Sequence, residues 1–285
     1  MLDEKKVKYK SVIVDIMKGE QYEDSYMKLN PKGSVPTLVH KGKIIPGSLA
    51  IIRYLDIAFS PGSLSPQDEE ARKAMDEWLQ LADSLPMETI IYGKRIQAGG
   101  PAGKIADNLH SSRTALLAKK VETAPQELKE VFQKKLDYVR EVDDKVHNAV
   151  LVERLLTEHI EKGAMDKLET ALQANAFLTG SNYTLADAFW TMILGRLSDL
   201  GLGARFWANG KRPRVEAYYH KLVQRPSYNT GVVALIPPAP RPKKSTFSSI
   251  FWVSTVVAVA VLAAAVSFTL FSPGSKGSGL LGKIF

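Results

Sequence analysis

Between Lys8 and Met17 the chain carries Tyr9, Val12, Ile13, Val14 and Ile16, a β-rich stretch of strand length. Ser25–Asn30 has room for only one or two helical turns, and Asn30-Pro31-Lys32-Gly33 follows with the chemistry of a turn. Thr37-Leu38-Val39 and Lys43-Ile44-Ile45 then read as a hairpin across His40-Lys41-Gly42. From Ser48, the expected N-cap, Leu49, Ile52 and Leu55 repeat at helical spacing as far as Phe59. The predicted order is strand, short helix, hairpin, helix.

Past Pro61–Gln67 the helical period takes over. Asp68–Arg95 is one amphipathic segment interrupted at Pro86, and Gly99-Gly100-Pro101-Ala102-Gly103 breaks the chain. Lys104–Leu156 is charge-rich and helical, with a second break at Pro125, and Arg154–Ala174 continues it. Phe177–Tyr183 reads as a loop. Thr184-Leu185-Ala186-Asp187 has the spacing of a capping box before the apolar run Ala188–Leu197, so Asp187 is read as structural and not as a catalytic carboxylate. Arg214–Arg225 is the last helix predicted before the tail.

The tail changes the picture. Phe247–Phe271 is apolar, and no charged residue stands between Lys244 and Lys276. A helix needs roughly 20 apolar residues to cross a bilayer core of about 30 Å, so the run is expected to be a transmembrane anchor at the end of the chain. Arg241, Lys243 and Lys244 on its N-terminal flank fit a cytosolic body, and Phe251 and Trp252 suit an interface. Pro237-Pro238-Ala239-Pro240 reads as a linker.

Composition narrows the chemistry. With 285 residues and no cysteine, the chain has no disulfide, no thiolate metal ligand and no cysteine nucleophile. The formal charge is +8, but the cations are interleaved with carboxylates, which fits a solvated face towards anionic lipid and argues against nucleic acid. The five histidines have no ligand spacing, so no metal is expected.

Asn30-Pro31-Lys32-Gly33-Ser34-Val35-Pro36-Thr37-Leu38, with Pro46-Gly47-Ser48-Leu49-Ala50-Ile51-Ile52-Arg53-Tyr54-Leu55, resembles the glutathione-binding half of a glutathione S-transferase. The Thr184–Asp187 box resembles the helical half. Asp83-Ser84-Leu85-Pro86-Met87, Asn209-Gly210-Lys211-Arg212-Pro213, Glu216-Ala217-Tyr218-Tyr219, the long charged insertion and the tail resemble ganglioside-induced differentiation-associated protein 1 and its relatives. The resemblance implies an α+β fold: a thioredoxin-like domain over residues 1–60, and an all-helical domain over 68–236 with an insertion at about 98–150. A linker at 237–246, a transmembrane helix over 247–271 and a short end at 272–285 complete it. It also implies that Pro36 is cis, that the backbone of Val35 pairs with the cysteinyl part of glutathione, and that Ser48 with the N–H groups of its helix holds the γ-glutamyl carboxylate.

The departures carry as much weight. In the family a strand and a helix bearing the thiol-activating residue precede the strand expected at Lys8–Met17, whereas Met1–Val7 resembles only the last turn of that helix. The expectation is an incomplete chain, or an isoform with a weakened first domain, in which that strand presents an open edge. No catalytic residue is assigned. Gly47 stands where the family usually has Glu or Gln for the ligand's ammonium. Two functions remain open. One is a non-catalytic adaptor of the mitochondrial outer membrane, linked to mitochondrial fission and redox balance. The other is a membrane-bound glutathione transferase whose N-terminus lies outside this chain. No bound cofactor is expected beyond glutathione as ligand or substrate. Expected partners are membrane lipid through the tail and other proteins through the insertion, with a homodimer left open. The expected place is the mitochondrial outer membrane facing the cytosol, with the peroxisomal membrane as a second.

Overall fold

The first strand is shorter than its pattern. In the computed structural model, which describes residues 1–59, 62–231 and the backbone of 265–270, β1 spans Lys10–Val14. Asp15 ends it, because its carboxylate accepts the N–H groups of Met17 at 3.0 Å and Lys18 at 3.2 Å and pulls the chain into a turn. A 3-10 turn at Glu20–Tyr22 and α1 (Asp24–Leu29) follow. β2 (Thr37–His40) and β3 (Lys43–Pro46) form the expected hairpin. Its two-residue loop places Lys41 at φ 50° and Gly42 at φ 75°, the left-handed pair that matches strand twist.

The fourth strand of the sheet comes from the tail. Residues Ala265–Leu270 form β4, and the strand order is β1-β4-β2-β3. β4 runs antiparallel to β1, with Val12 opposite Ser267, and parallel to β2, with Val39 opposite Thr269. This corrects two expectations. β1 has a ladder partner, although its outer side remains the edge of the sheet. The end of the expected transmembrane segment is a strand; its remainder, 247–264 and Phe271, lies outside the described residues, as do the linker 237–246 and the end 272–285. Among the described residues no helix is long and apolar enough to cross a membrane. A preceding strand joined to β1 through a helix would run parallel to it, so β4 fills that central position in the opposite direction.

α2 (Ser48–Ala58) packs on the hairpin and returns the chain towards its own N-terminus. There Lys5 meets Asp56 at 2.6 Å in a nearly solvent-free pair, and Asp56 also accepts from Ser63, Leu64 and Ser65. The N-terminal turn therefore locks the end of α2 and the start of the next segment together.

The helical half begins at α3 (Glu69–Ser84), capped by Asp68, which accepts from Ala71 N at 2.8 Å. Pro86 separates it from α4 (Met87–Ala98). Only Gly99 and Gly100 make the next break, with φ of 66° and 65°; Gly103 is already inside α5 (Gly100–Thr123). A Cβ on Gly103 would lie 2.8 Å from Arg95 O, so glycine lets α5 approach α4. α6 (Gln126–His147) follows Pro125 and packs back along α5. Asn148 makes a further break, capping α7 (Ala149–Leu155) through Leu151 N at 2.9 Å. The chain then widens into a π-helix over Leu156–Met165 before α8 (Asp166–Ala171).

α9 (Leu185–Asp199) runs through the main core, where Trp190 is fully buried and its indole N–H donates to Trp78 O at 3.1 Å. α10 (Gly203–Phe206) and α11 (Pro213–Val223) cover it and α12 (Pro226–Gly231) packs on α11, so the single predicted last helix is α11 with short flanking helices. A separate cluster joins Leu117, Leu128, Phe132, Leu136 and Val139 of α5 and α6 to Tyr22 and Met27, docking the insertion onto the N-terminal half.

Candidate functional site

The site is built around the segment between α1 and β2. Asn30, fully buried, fixes it: Nδ2 donates to Ser34 O at 2.6 Å and to Thr37 Oγ1 at 3.1 Å, while Oδ1 accepts Lys32 N at 3.1 Å. The buried Tyr26 hydroxyl donates to Ser34 O at 2.8 Å and lies 2.9 Å from Thr37 Oγ1. With a carbonyl, a hydroxyl and an N–H thus satisfied, the loop holds one conformation. The sequence marks Asn30 as part of a turn and of the Asn30–Leu38 stretch but not as its anchor, and gives Tyr26 no role; a tyrosine in the short helix before the turn is the available signal.

Within this clamp the Val35–Pro36 bond is cis, as the resemblance implies. Pro36 O accepts Gly47 N at 3.0 Å, and that bond brings Val35 and Pro36 beside Ser48 although the hairpin separates them in sequence. The backbone N–H and C=O of Val35 pair with no group among the described residues. A residue outside the strands with both backbone groups free among the described residues can accept an antiparallel peptide fragment.

Ser48 is not the N-cap. That position belongs to Gly47 at φ 88° and ψ 143°, and Ser48 is the first helical residue, exposed, with its hydroxyl free of hydrogen bonds among the described residues. The unpaired N–H groups opening α2, with the positive end of its dipole, favour a carboxylate there. Gly47 offers no side chain, and its backbone conformation is one that other residues avoid.

Thr184 and Asp187 lie elsewhere, in the helical core. Asp187 is fully buried and accepts from Thr184 N at 2.8 Å, Thr184 Oγ1 at 2.9 Å, Leu178 N at 3.0 Å and the Tyr218 hydroxyl at 2.7 Å. Burial raises its carboxyl pKa, and the four donors oppose the shift. Every lone pair it could offer is engaged, and it reaches no solvent. The structure brings Val35, Pro36 and Ser48 together and leaves Thr184 and Asp187 as scaffold.

Comparison with known proteins follows the same division. Residues 1–57 match the N-terminal domain family of glutathione S-transferases and residues 162–221 match the C-terminal domain family. A tetrachloro-p-hydroquinone reductive dehalogenase of Sphingobium chlorophenolicum is 31% identical over 214 residues, covering 75% of this chain and 81% of that protein. The chain belongs to the glutathione S-transferase family. A 2,5-dichlorohydroquinone reductive dechlorinase of Sphingobium indicum is 32% identical over 217 residues, but the match spans only 59% of that longer protein. The mouse ganglioside-induced differentiation-associated protein 1-like 1 is 26% identical over 243 residues and 63% of its length. The narrower likeness expected from the insertion and tail is thus a distant one. Among solved structures, the beta-etherase LigF of Sphingobium sp. superposes with a TM-score of 0.53 at 24% identity, covering 80% of this chain and 90% of that one. The likeness shows a transferase fold of thioredoxin-like and helical halves.

Proposed function

We propose that this transferase-family chain binds glutathione in the Val35–Pro36–Ser48 frame and acts mainly as a binding protein at a membrane surface. The observation that carries the reading is the pairing of a cis Val35–Pro36 bond, with Val35's own N–H and C=O unpaired among the described residues, with the open N-terminus of α2. One side of that frame suits a peptide backbone and the other a carboxylate, the two ends of a γ-glutamyl thiol peptide. Neither Val35, Pro36 nor Ser48 is a base or a pre-activated donor for a thiol, so the frame supplies binding without lowering the ligand's thiol pKa. The apolar run from Phe247 supplies attachment: 247–264 alone is eighteen residues, within the span range. In this reading the mitochondrial outer membrane, and secondarily the peroxisomal membrane, is the place of attachment, and the charged α5–α6 insertion meets other proteins.

The experiment is a thermal melt of the full chain in detergent with and without glutathione. At about 100 times its Kd a ligand stabilises by roughly 2.7 kcal/mol, a clear rise in Tm. Val35→Pro, which removes one backbone donor, is expected to abolish the rise. No rise with the unaltered chain overturns the reading.

A second reading draws on the relatives' names. A halogenated hydroquinone would be reduced at the expense of two glutathiones, its carbon–halogen bond replaced by carbon–hydrogen with release of glutathione disulfide, halide and one proton. This chain has no cysteine, so both thiols would come from glutathione. Glutathione-dependent chloride release from 2,5-dichlorohydroquinone separates this reading from the first.

A further inference from the structure

The seam where α5 and α6 meet α4 and the Glu20–Tyr22 turn holds a polar cluster that the glutathione frame does not use. Glu88 of α4 accepts from Arg113 Nη1 of α5 at 3.1 Å and from the Tyr138 hydroxyl of α6 at 2.7 Å. Arg113 Nη2 lies 3.0 Å from His110 Nδ1, and His110 is fully buried. Among the described residues Gln21 Oε1, His110 Nε2 and Arg113 Nε are buried without a hydrogen-bond partner. Such atoms are few in folded proteins, so three in one connected seam mark it as built for something besides packing.

Lys135 of α6 stands in this seam. Its Nζ is 4.8 Å from the centre of the Tyr138 ring and 6.0 Å from that of Tyr22, and it makes no ion pair or hydrogen bond among the described residues. Glu88, the nearby carboxylate, is already engaged by Arg113 and Tyr138. Tyr138 is 45% exposed and Lys135 half-buried, so the seam lies next to solvent.

We propose that Lys135 is a nucleophilic amine site that takes aromatic aldehydes as an imine. Nζ adds to the carbonyl carbon; the carbonyl oxygen collects two protons, both of them from the amine by way of solvent, and leaves as water. No oxidant or reductant is needed. The half-exposed Tyr138 ring offers a flat face to an aromatic aldehyde, while the buried Tyr22 ring only backs the amine. Burial, first, and the Arg113 charge lower the Lys135 pKa to about 8, while Glu88 opposes them. A desolvated lysine beside another cation is the usual setting for an amine nucleophile. At pH 7 about a tenth of Lys135 is therefore unprotonated, against about four parts in ten thousand for an ordinary lysine.

The test treats the full chain with benzaldehyde, fixes imines with borohydride and maps the labelled lysines by mass spectrometry over roughly pH 6 to 10. Lys135 is expected to label at least about tenfold faster than the average lysine at neutral pH, with a midpoint near 8. Glu88→Gln keeps partners for Arg113 and Tyr138 while removing the charge that holds the proton, so labelling at neutral pH should quicken. Labelling of Lys135 at the average rate, or with a midpoint near 10.4, overturns the proposal. So does an E88Q variant, melting as the unaltered chain does, in which the rate is unchanged or slower.

Discussion

Gly47 shows how one position can be legible in type and illegible in cause. The resemblance leads one to expect Glu or Gln here and the sequence has glycine; the backbone at φ 88° would strain any residue with a side chain. Open space surrounds the missing Cβ, so the obstacle is conformational and not a clash. Gly47→Glu is expected to cost about 1–3 kcal/mol in denaturant unfolding and to leave glutathione affinity no tighter. Gly47→Ala should cost the same, which separates backbone strain from charge. Nothing in the sequence marks His110 as buried, because a lone histidine in a charge-rich helix carries no such signal. Burial and the neighbouring Arg113 lower its pKa from 6.5 to about 3. The unfolded chain therefore takes up a proton between those values that the native state refuses, and stability falls as pH drops below 6.5. At pH 5 the loss is about 2 kcal/mol. His147, raised by Asp107, works in the opposite direction, so the comparison must be with His110→Gln. The variant should lose less stability than the unaltered chain between pH 7 and roughly pH 5 in parallel melts.

Elements were legible where one period or one turn residue decided them. The hairpin, α2, the Pro86 and Pro125 breaks and the α9 start follow from such signals. The π-helix at Leu156–Met165 was not, because its side chains keep an ordinary amphipathic spacing into α8. Gly163 fits it, because a Cβ there would sit 2.9 Å from Glu158 O. That carbonyl belongs to the wide turn and cannot yield without rewinding it. The stretch buries Leu156, Ile160, Ala164 and Met165 against the main core. Rewinding would turn those side chains out of register with the core that buries them. Gly163→Ala, which would favour an ordinary helix by about 1 kcal/mol, is here expected to destabilise by about 1–3 kcal/mol. A melt that rises with G163A would show that the wide turn is dispensable. Equal loss of glutathione binding is not expected, since the stretch lies in the other half of the chain.

The sheet joins the two ends of the chain, and this was the part least open to sequence reasoning. Period and hydrophobicity describe a segment alone; they do not say that an apolar run near the C-terminus pairs with strands near the N-terminus. The same residues satisfy a membrane helix by composition and a sheet strand by pairing, and only the ladder distinguishes them. β1 and β2 have no direct bonds to each other, so β4 is what makes one sheet of β1 and the β2–β3 hairpin. A two-stranded hairpin is marginal by itself, and the Val35–Pro36 bond lies at the start of β2. Ser267, opposite Val12, is therefore a point where strand and span can be told apart. Proline there removes a ladder donor from a central strand, at a cost of about 3 kcal/mol, whereas a membrane helix tolerates it. Ser267→Pro should lower the Tm of the full chain and weaken glutathione binding while flotation with lipid vesicles persists through 247–264. Retained Tm with retained flotation would place these residues outside the sheet. Lost flotation with lowered Tm would mean that one segment serves both sheet and membrane, and that the two demands compete for it.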